Sequence, residues 1–254
     1  MYQNCTVVRN TTICPGYGRI VVSAPEISAA ALPGQFVMTK YWDGNSPFLL
    51  RPFSINAVDR NAGTIEILYK VIGEGTRLLL RLKEGADFLI LGPLGNSFPL
   101  NPNFSRIGIV GRGVGAAPMR FLAEEAVKQG MEVFVYVSAS KEEYLFDRQY
   151  YQEMGAHFIG SCDPDKMVTS FLEEDLISKH FDAAFTCGSN RLIRDIKRLM
   201  DIYQLEGYAS LEAHMACGVG ACKGCVCTIY EDGEEKYAHV CKDGPVFPIR
   251  KLVK

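Results

Sequence analysis

Four of the chain's nine cysteines fall within the eleven positions from Cys217 to Cys227, in the stretch MACGVGACKGCVC. Thiolates this close together can cage iron and sulfide, close on a zinc ion or cycle as a redox pair, and each use needs its own spacing. Cys217, Cys222 and Cys225 form C-x4-C-x2-C, and Cys241 follows after fifteen intervening residues. That is the plant-type 2Fe-2S arrangement, with three thiolates from one tight loop and a fourth from farther along the chain. Gly218, Gly220 and Gly224 suit a loop that must take unusual backbone angles and aim its N–H groups at sulfur. Four cysteines can also make a closed zinc site. Zinc ribbons, however, usually pair two short knuckles, whereas here three cysteines crowd one loop and one stands apart, which favours the cluster. Cys227 alternates with Val226 and Thr228 on a strand leaving the loop and is expected as a small buried hydrophobe. Cys5, Cys14 and Cys162 carry no pattern and read as structural.

Three short stretches nearer the N-terminus, RPFS (Arg51, Pro52, Phe53, Ser54), LYK (Leu68, Tyr69, Lys70) and GEGT with Gly75 and Thr76, follow one another in order. Each alone is weak. Together they allow a phosphate site, because a planar guanidinium at Arg51 suits a pyrophosphate and Gly75 and Thr76 can open a helix whose N–H groups face the same phosphates. GRGVGAAPM, residues 111 to 119, joins an apolar run to a helical pattern through Gly111, Gly113 and Gly115. It lacks the third glycine of the dinucleotide fingerprint at its usual place, with Ala116 as a partial substitute, and a strand-loop-helix without ligand remains open. TCGS, Thr186 to Ser189, ends the last apolar run, at the edge where parallel sheets bind ligands. Cys187 there either packs or touches a nicotinamide, and with Gly188 it is the candidate for the catalytic position.

These residues need elements to hold them. Up to about residue 100 the chain alternates short β-rich runs (RIVVSAP, GQFVMTKYW, RPFSINAVD, GTIEILYKVI, ADFLILGPLG) with turns, and one short helix over GTRLLLRLKEG uses Leu78 and Leu82 and stops at Gly85. Closely spaced strands of this kind imply an antiparallel barrel. After NPNFS, residues 101 to 105, the pattern becomes strand, glycine loop, helix, strand, and FDAAFTCGSNRLIRDIKRLM repeats it, which implies a parallel sheet covered by helices. The expected organisation is an antiparallel β-barrel over residues 1–103, an α/β parallel-sheet nucleotide domain over 104–208 and a small cysteine-rich segment over 209–254 with little core of its own.

The net charge of −2 gives no pull toward nucleic acid or anionic lipid. No run of about 18 apolar residues offers a membrane span. The start MYQNCTVVRN lacks the cationic flank and apolar stretch of a signal peptide. The expected location is cytoplasmic, where thiols stay reduced and a cysteine cluster favours metal or redox chemistry.

RPFS and GEGT on a barrel, GRGVGAAPM and CGS on a nucleotide domain, and a C-terminal MACGVGACKGC with VCKDGPVF together resemble the ferredoxin-reductase superfamily. Within it, the chain looks most like the electron-transfer subunits of NAD-dependent dihydroorotate dehydrogenase, and LGPLGNSF strengthens the match. The resemblance implies FAD on the barrel, held by Arg51, Pro52, Phe53, Ser54, Leu68, Tyr69, Lys70, Gly75 and Thr76. It also implies NAD on the middle domain and one 2Fe-2S cluster on Cys217, Cys222, Cys225 and Cys241. Arg112 departs from the glycine expected between Gly111 and Gly113, and the choice of NAD over NADP comes from the resemblance alone. No acid-base pair for dihydroorotate oxidation is evident. In the family that chemistry belongs to an FMN-containing partner subunit in a hetero-oligomer, with electrons passing through the cluster and FAD to NAD. Two rival readings stand beside this one: an iron-sulfur flavoprotein subunit of an NADPH:ferredoxin or sulfide oxidoreductase, and a non-catalytic zinc-binding interaction module.

Overall fold

The computed structural model describes residues 2–253. Its first half contains β1 (Tyr2–Cys14), β2 (Tyr17–Ser23), α1 (Pro25–Ala30), β3 (Phe36–Lys40), β4 (Arg51–Ser54), β5 (Ala57–Asp59), β6 (Thr64–Lys70), α2 (Glu74–Arg81) and β7 (Asp87–Leu94). The seven strands form one antiparallel sheet in the order β4-β3-β7-β1-β2-β6-β5. Its two ends, β4 and β5, are joined by only Ile55 and Asn56. Two residues reach roughly 7 Å, so the sheet has to curl on itself. The two linking residues tie to both flanks, Asn56 N donating to Glu66 O on β6 at 2.8 Å and Ile55 N to Gln35 O before β3 at 3.2 Å. Alternate residues fill the interior, among them Ile20 and Val22, Ile65 and Ile67, and Phe88 and Ile90, as the two-residue period of a strand requires. This is the expected barrel, with two differences in detail. The long β1 adds a strand before the first β-rich run, and α2 ends at Arg81 instead of Gly85. Asn10 on β1 explains the early stop: its Nδ2 donates to the carbonyls of Leu79 and Leu82, at 2.8 and 3.1 Å, which a helix end otherwise leaves without partners. Leu79 is the helix leucine that is fully buried, while Leu78 and Leu82 are only partly covered.

The second half runs β8 (Arg106–Arg112), α3 (Met119–Lys128), β9 (Glu132–Ser138), α4 (Arg148–Glu153), β10 (His157–Ser161), α5 (Val168–Ser178), β11 (Ala183–Cys187), α6 (Asn190–Tyr203) and β12 (Glu206–Ser210). In the sheet order β10-β9-β8-β11-β12 every pairing is parallel. The chain adds β9 and β10 on one side of β8, then β11 and β12 on the other. That reversal opens a crevice beyond the carboxyl ends of β8 and β11, where such sheets bind ligands.

From Ser210 the chain crosses residues 211–225 without regular structure, forms the hairpin β13 (Val226–Glu231) and β14 (Glu234–His239), and returns as β15 (Val246–Pro248), antiparallel to β12. Val240, Phe247, Ile249 and Leu252 join the core beneath the nucleotide sheet, so this segment shares a neighbour's core in place of one of its own. The stretches LGPLGNSF and CKDGPVF meet here: Asn96 N donates to Gly244 O at 2.6 Å, and Asn96 Nδ2 to Asp243 O at 2.7 Å. Among the described residues no helix is long and apolar enough to cross a membrane.

Candidate functional site

The cysteine loop packs onto the barrel. Gly218 has φ +70°, and a Cβ there would come within 2.5 Å of Met38 on β3, so both the backbone shape and the close approach call for glycine. The loop turns its own N–H groups onto sulfur. Val219 N and Cys222 N donate to Cys217 Sγ at 3.5 and 3.4 Å, Gly220 N to Cys241 Sγ at 3.1 Å, and Cys241 N to Cys225 Sγ at 3.4 Å. The Cys217 thiol interacts with that of Cys222, and the Cys241 thiol with those of Cys225 and Cys217. The N–H donors, from Cys222 first and then Val219, hold the Cys217 thiol down to about 6, whereas burial pushes Cys241 up to about 12. Among the described residues no set of three or more Cys, His, Asp or Glu closes around a single metal ion. A two-iron cluster needs four thiolates, two at each iron, and four neighbouring thiols with N–H groups aimed at their sulfurs fit it. Cys227, expected as buried, is only half-buried on β13 and packs against the edge of the core.

A cavity of about 730 Å³ lies where the barrel, the nucleotide sheet and this loop meet, within the range of cofactor sites. Arg51, Pro52, Phe53, Ser54, Leu68, Tyr69, Lys70 and Thr76 line it. Gly75 lies instead beneath the Arg51 side chain: a Cβ at Gly75 would stand 2.6 Å from Arg51 Nε. The Arg51 guanidinium rests 5.5 Å from the Trp42 ring centre and donates to Leu49 O. Among the described residues no carboxylate pairs with it, so it is available to an anion. The Thr76 hydroxyl is already engaged. Its Oγ1 accepts from Ile72 N at 2.9 Å and Gly73 N at 3.1 Å, so it caps α2 and leaves the N–H groups of the first turn for a ligand. The Tyr69 ring belongs to the barrel, where its hydroxyl donates to Asn10 Oδ1 at 2.9 Å and burial raises it to about 12. An unpaired guanidinium beside free helix-end donors in a cavity of this size fits a dinucleotide flavin.

On the other wall, Gly113–Ala116 form a 3-10 turn, and α3 begins only at Met119, after Pro118. Val114, Ala117 and Pro118 line the cavity, while Gly111, Gly113 and Gly115 supply the backbone around them. A Cβ at Gly111 would press on Ala116 at 2.7 Å, and one at Gly115 would lie 3.4 Å from the Cys187 carbonyl. The turn and the end of β11 are therefore close neighbours. Cys187 lines the cavity, its thiol raised to about 12 by burial and by Glu212. Gly188, at φ +86°, faces the Glu212 carboxylate, 3.3 Å from where its Cβ would stand. Sequence reasoning missed Glu212 and the rest of residues 211–216, although they follow the carboxyl end of the last parallel strand, a position that itself signals ligand contact. Met215, Ala216 and Gly224 bring the cluster loop to the same cavity wall. Arg112 lies outside this cavity: with Ser138, Ser140, Ser189 and Arg191 it lines a smaller cleft beyond the ends of β8, β9 and β11.

Residues 212–253 match the family described as the iron-sulfur cluster binding domain of dihydroorotate dehydrogenase B. The chain is 33% identical over 247 residues to the dihydroorotate dehydrogenase B (NAD(+)) electron transfer subunit of Desulforamulus reducens, covering 95% of this chain and 94% of that protein. It is 34% identical over 257 residues to the subunit of the same name from a Geobacillus species, covering 99% and 98%. Among solved structures, that of an NADH-dependent reduced ferredoxin-NADP oxidoreductase superposes with a TM-score of 0.84 at 23% identity, covering 97% of this chain and 88% of that one. A ferredoxin NADP+ reductase from Neisseria gonorrhoeae, with bound FAD and NADP, superposes at 0.65 and 20% identity, covering 83% and 98%. These two share the fold. With relatives that match it end to end at a third of their residues, the chain belongs to the family of dihydroorotate dehydrogenase B (NAD(+)) electron transfer subunits.

Proposed function

We propose that this chain carries electrons to NAD from an FMN-containing partner subunit on which dihydroorotate is oxidised, using a 2Fe-2S cluster on Cys217, Cys222, Cys225 and Cys241 and an FAD in the 730 Å³ cavity. The single observation that carries the reading is that one cavity is walled by the RPFS and LYK strands, by Cys187 at the switch point and by Gly224 of the cluster loop. When bound, a flavin exchanges electrons singly or in pairs, a 2Fe-2S centre passes one at a time, and NAD accepts two as hydride.

The protein's own residues bind, orient and shield. Arg51 and the open N-terminal turn of α2 would hold the flavin pyrophosphate, and Gly75 lets the guanidinium lie close over the helix. The strand backbone at Leu68, Tyr69 and Lys70 would support the ring system, with Tyr69 fixed from behind by Asn10. Cys187, Gly188 and Glu212 shape the place where a nicotinamide would stack. Cys187, buried at the end of β11 and on the cavity wall, would pack against the ring. Arg112 and Arg191, with the serines of the smaller cleft, offer a place for the phosphate-bearing half of the coenzyme. At the outer end, Cys222 and the neighbouring Val219 are exposed, which leaves the cluster loop open to a partner. A cytoplasmic location, where thiols stay reduced, suits a cluster held on four cysteine thiolates.

The test is purification of the chain alone and with its partner. The single chain, reconstituted with FAD, iron and sulfide, is expected to be coloured and to oxidise NADH with an artificial acceptor, yet not to turn over dihydroorotate. Adding the FMN-bearing subunit confers dihydroorotate-to-NAD activity. Robust dihydroorotate oxidation by the single polypeptide would overturn the proposal.

A further inference from the structure

The barrel and the nucleotide domain meet along an apolar strip, where Tyr17 packs on Phe146 and Tyr144 at ring-centre distances of 5.0 and 4.9 Å, with Leu68 and Ala117 beside them. Such contacts hold two bodies together but carry little direction. A largely buried polar cluster across the same seam does carry direction. From the barrel come Arg19, Asn56 and Glu66; from the nucleotide domain come Arg120, Glu124, Asp147 and the carbonyl of Ala117. Arg19 Nε stands 3.3 Å from Glu66 Oε1, and its Nη2 pairs with Asp147 Oδ1. Arg120 Nη1 lies 2.9 Å from the same Glu66 oxygen and 3.8 Å from Asp147 Oδ1, while its Nε holds Glu124 at 2.8 Å. The Tyr150 ring covers the Arg120 guanidinium, its centre 3.6 Å away.

Asn56 ties this cluster to the site. It is wholly buried, and its Nδ2 donates to Ala117 O at 2.6 Å and to Asp147 Oδ2 at 3.2 Å. Ala117 follows the Gly113–Ala116 turn and lines the flavin-sized cavity, and Glu66 lies two residues before Leu68 on β6. The cluster thus spans from the strand that walls one side of the cavity to the turn that walls the other. Asp147 has φ +63°, a conformation that residues with a Cβ seldom adopt unless their surroundings over-determine them; here Arg19 and Asn56 hold its carboxylate, with the Arg120 guanidinium 3.8 Å away.

We infer that Asn56 and Asp147 are positioning residues for hydride transfer, holding the glycine turn at a fixed distance from the flavin-bearing strands. The inference rests on the proposed flavin and NAD reading. Hydride transfer requires reacting atoms about 3 to 3.5 Å apart, and a displacement of about 1 Å can cost on the order of a hundredfold in rate. A largely buried network of hydrogen bonds and ion pairs supplies an angular preference that an apolar strip lacks.

The experiment compares Asn56→Ala, Asp147→Asn and Arg60→Ala in the holoprotein. Asp147→Asn keeps the size and the tolerance of positive φ but removes the charge. Arg60→Ala removes a rim pair across the same seam, Arg60 to Glu125 at 3.3 Å, and serves as the control for simple domain adhesion. Stopped-flow flavin reduction at saturating NADH is expected to fall roughly tenfold to a hundredfold in Asn56→Ala and by a smaller factor in Asp147→Asn, with FAD content and NADH affinity held. Hydrogen exchange at the amides of residues 113–117 should be faster in both, by roughly tenfold. Arg60→Ala should match the parent in every measurement. If Asn56→Ala does not fold, Asp147→Asn decides. Unchanged exchange and unchanged reduction in the folded variants, or an equal fall in Arg60→Ala, would overturn the inference. A parent protein whose flavin NADH does not reduce would remove the functional reading, and the amide exchange would still decide whether the cluster fixes the turn.

Discussion

Two glycine-rich loops reach the same cavity from different sides and are held in different ways. The cysteine loop organises itself: Cys217 Sγ is met by the N–H groups of Val219 and Cys222, and the most distant candidate ligand, Cys241, lies on the same C-terminal segment. The glycine turn at Gly113–Ala116 is held from outside, through Ala117 by Asn56 on the barrel, and it rests on the carbonyl end of β11. Short-range donors and whatever the thiols bind shape most of the first, with Gly218 seated against Met38 of the barrel; the packing of two domains shapes the second. Damage to the one should therefore be local and chemical, and damage to the other geometric.

The largest expected effect tests the local half of that comparison. Cys225→Ser or Cys241→Ser removes a buried thiolate, and each should abolish the cluster, seen as loss of iron, sulfide and visible absorption, while FAD stays bound. Loss of FAD in the same variants would show that the loop also holds the cavity together, against its self-contained character. NADH-to-dye activity should survive cluster loss; dihydroorotate-to-NAD activity with the partner should not.

Next comes a geometric lesion. Gly188→Val places a branched side chain at φ +86° and against the Glu212 carboxylate. Flavin reduction by NADH should slow by roughly a hundredfold, with iron and FAD contents matching the parent. Unchanged reduction kinetics would remove the end of β11 from the site.

Arg51→Ala removes a charge-assisted contact worth about 1.5 to 3 kcal/mol, so flavin should bind roughly ten- to a hundredfold more weakly by ultrafiltration or fluorescence release. Retention equal to the parent would mean that the guanidinium on the cavity wall has no phosphate to meet.

The smallest effect sharpens the boundary of the cysteine loop. Cys227→Ser, on β13 and half-buried, should leave iron content unchanged. It should move stability by no more than about 0.5 kcal/mol, read as a small change in the denaturation midpoint. Cluster loss in this variant with retention in Cys241→Ser would exchange the two residues in the ligand set.

What was legible follows the same division. The C-x4-C-x2-C spacing, the alternation of Ile20 with Val22 or Ile65 with Ile67, and the strand-loop-helix repeats are short-range patterns, and the barrel and the parallel sheet answer to them. The elements α4, β10 and α5 went unread, because α4 and β10 are single short pieces and the apolar residues of α5 do not gather on one clean face. The end of α2 depended on Asn10 of β1, and the return of β15 depended on a partner strand, β12, on the far side of the cluster loop.

By itself, the sequence determined which residues could ligate iron, which runs would be strands and where glycines could admit a phosphate, since each of these is set by atoms within a few positions of one another. Tertiary structure alone decided that Glu212 and Met215 face the cavity walled by RPFS, that Arg51 lies over Gly75, and that Asn56 holds the end of the glycine turn through Ala117. Those contacts join residues tens to more than a hundred positions apart, and only the packing of strands, sheet and loop against one another brings such residues together.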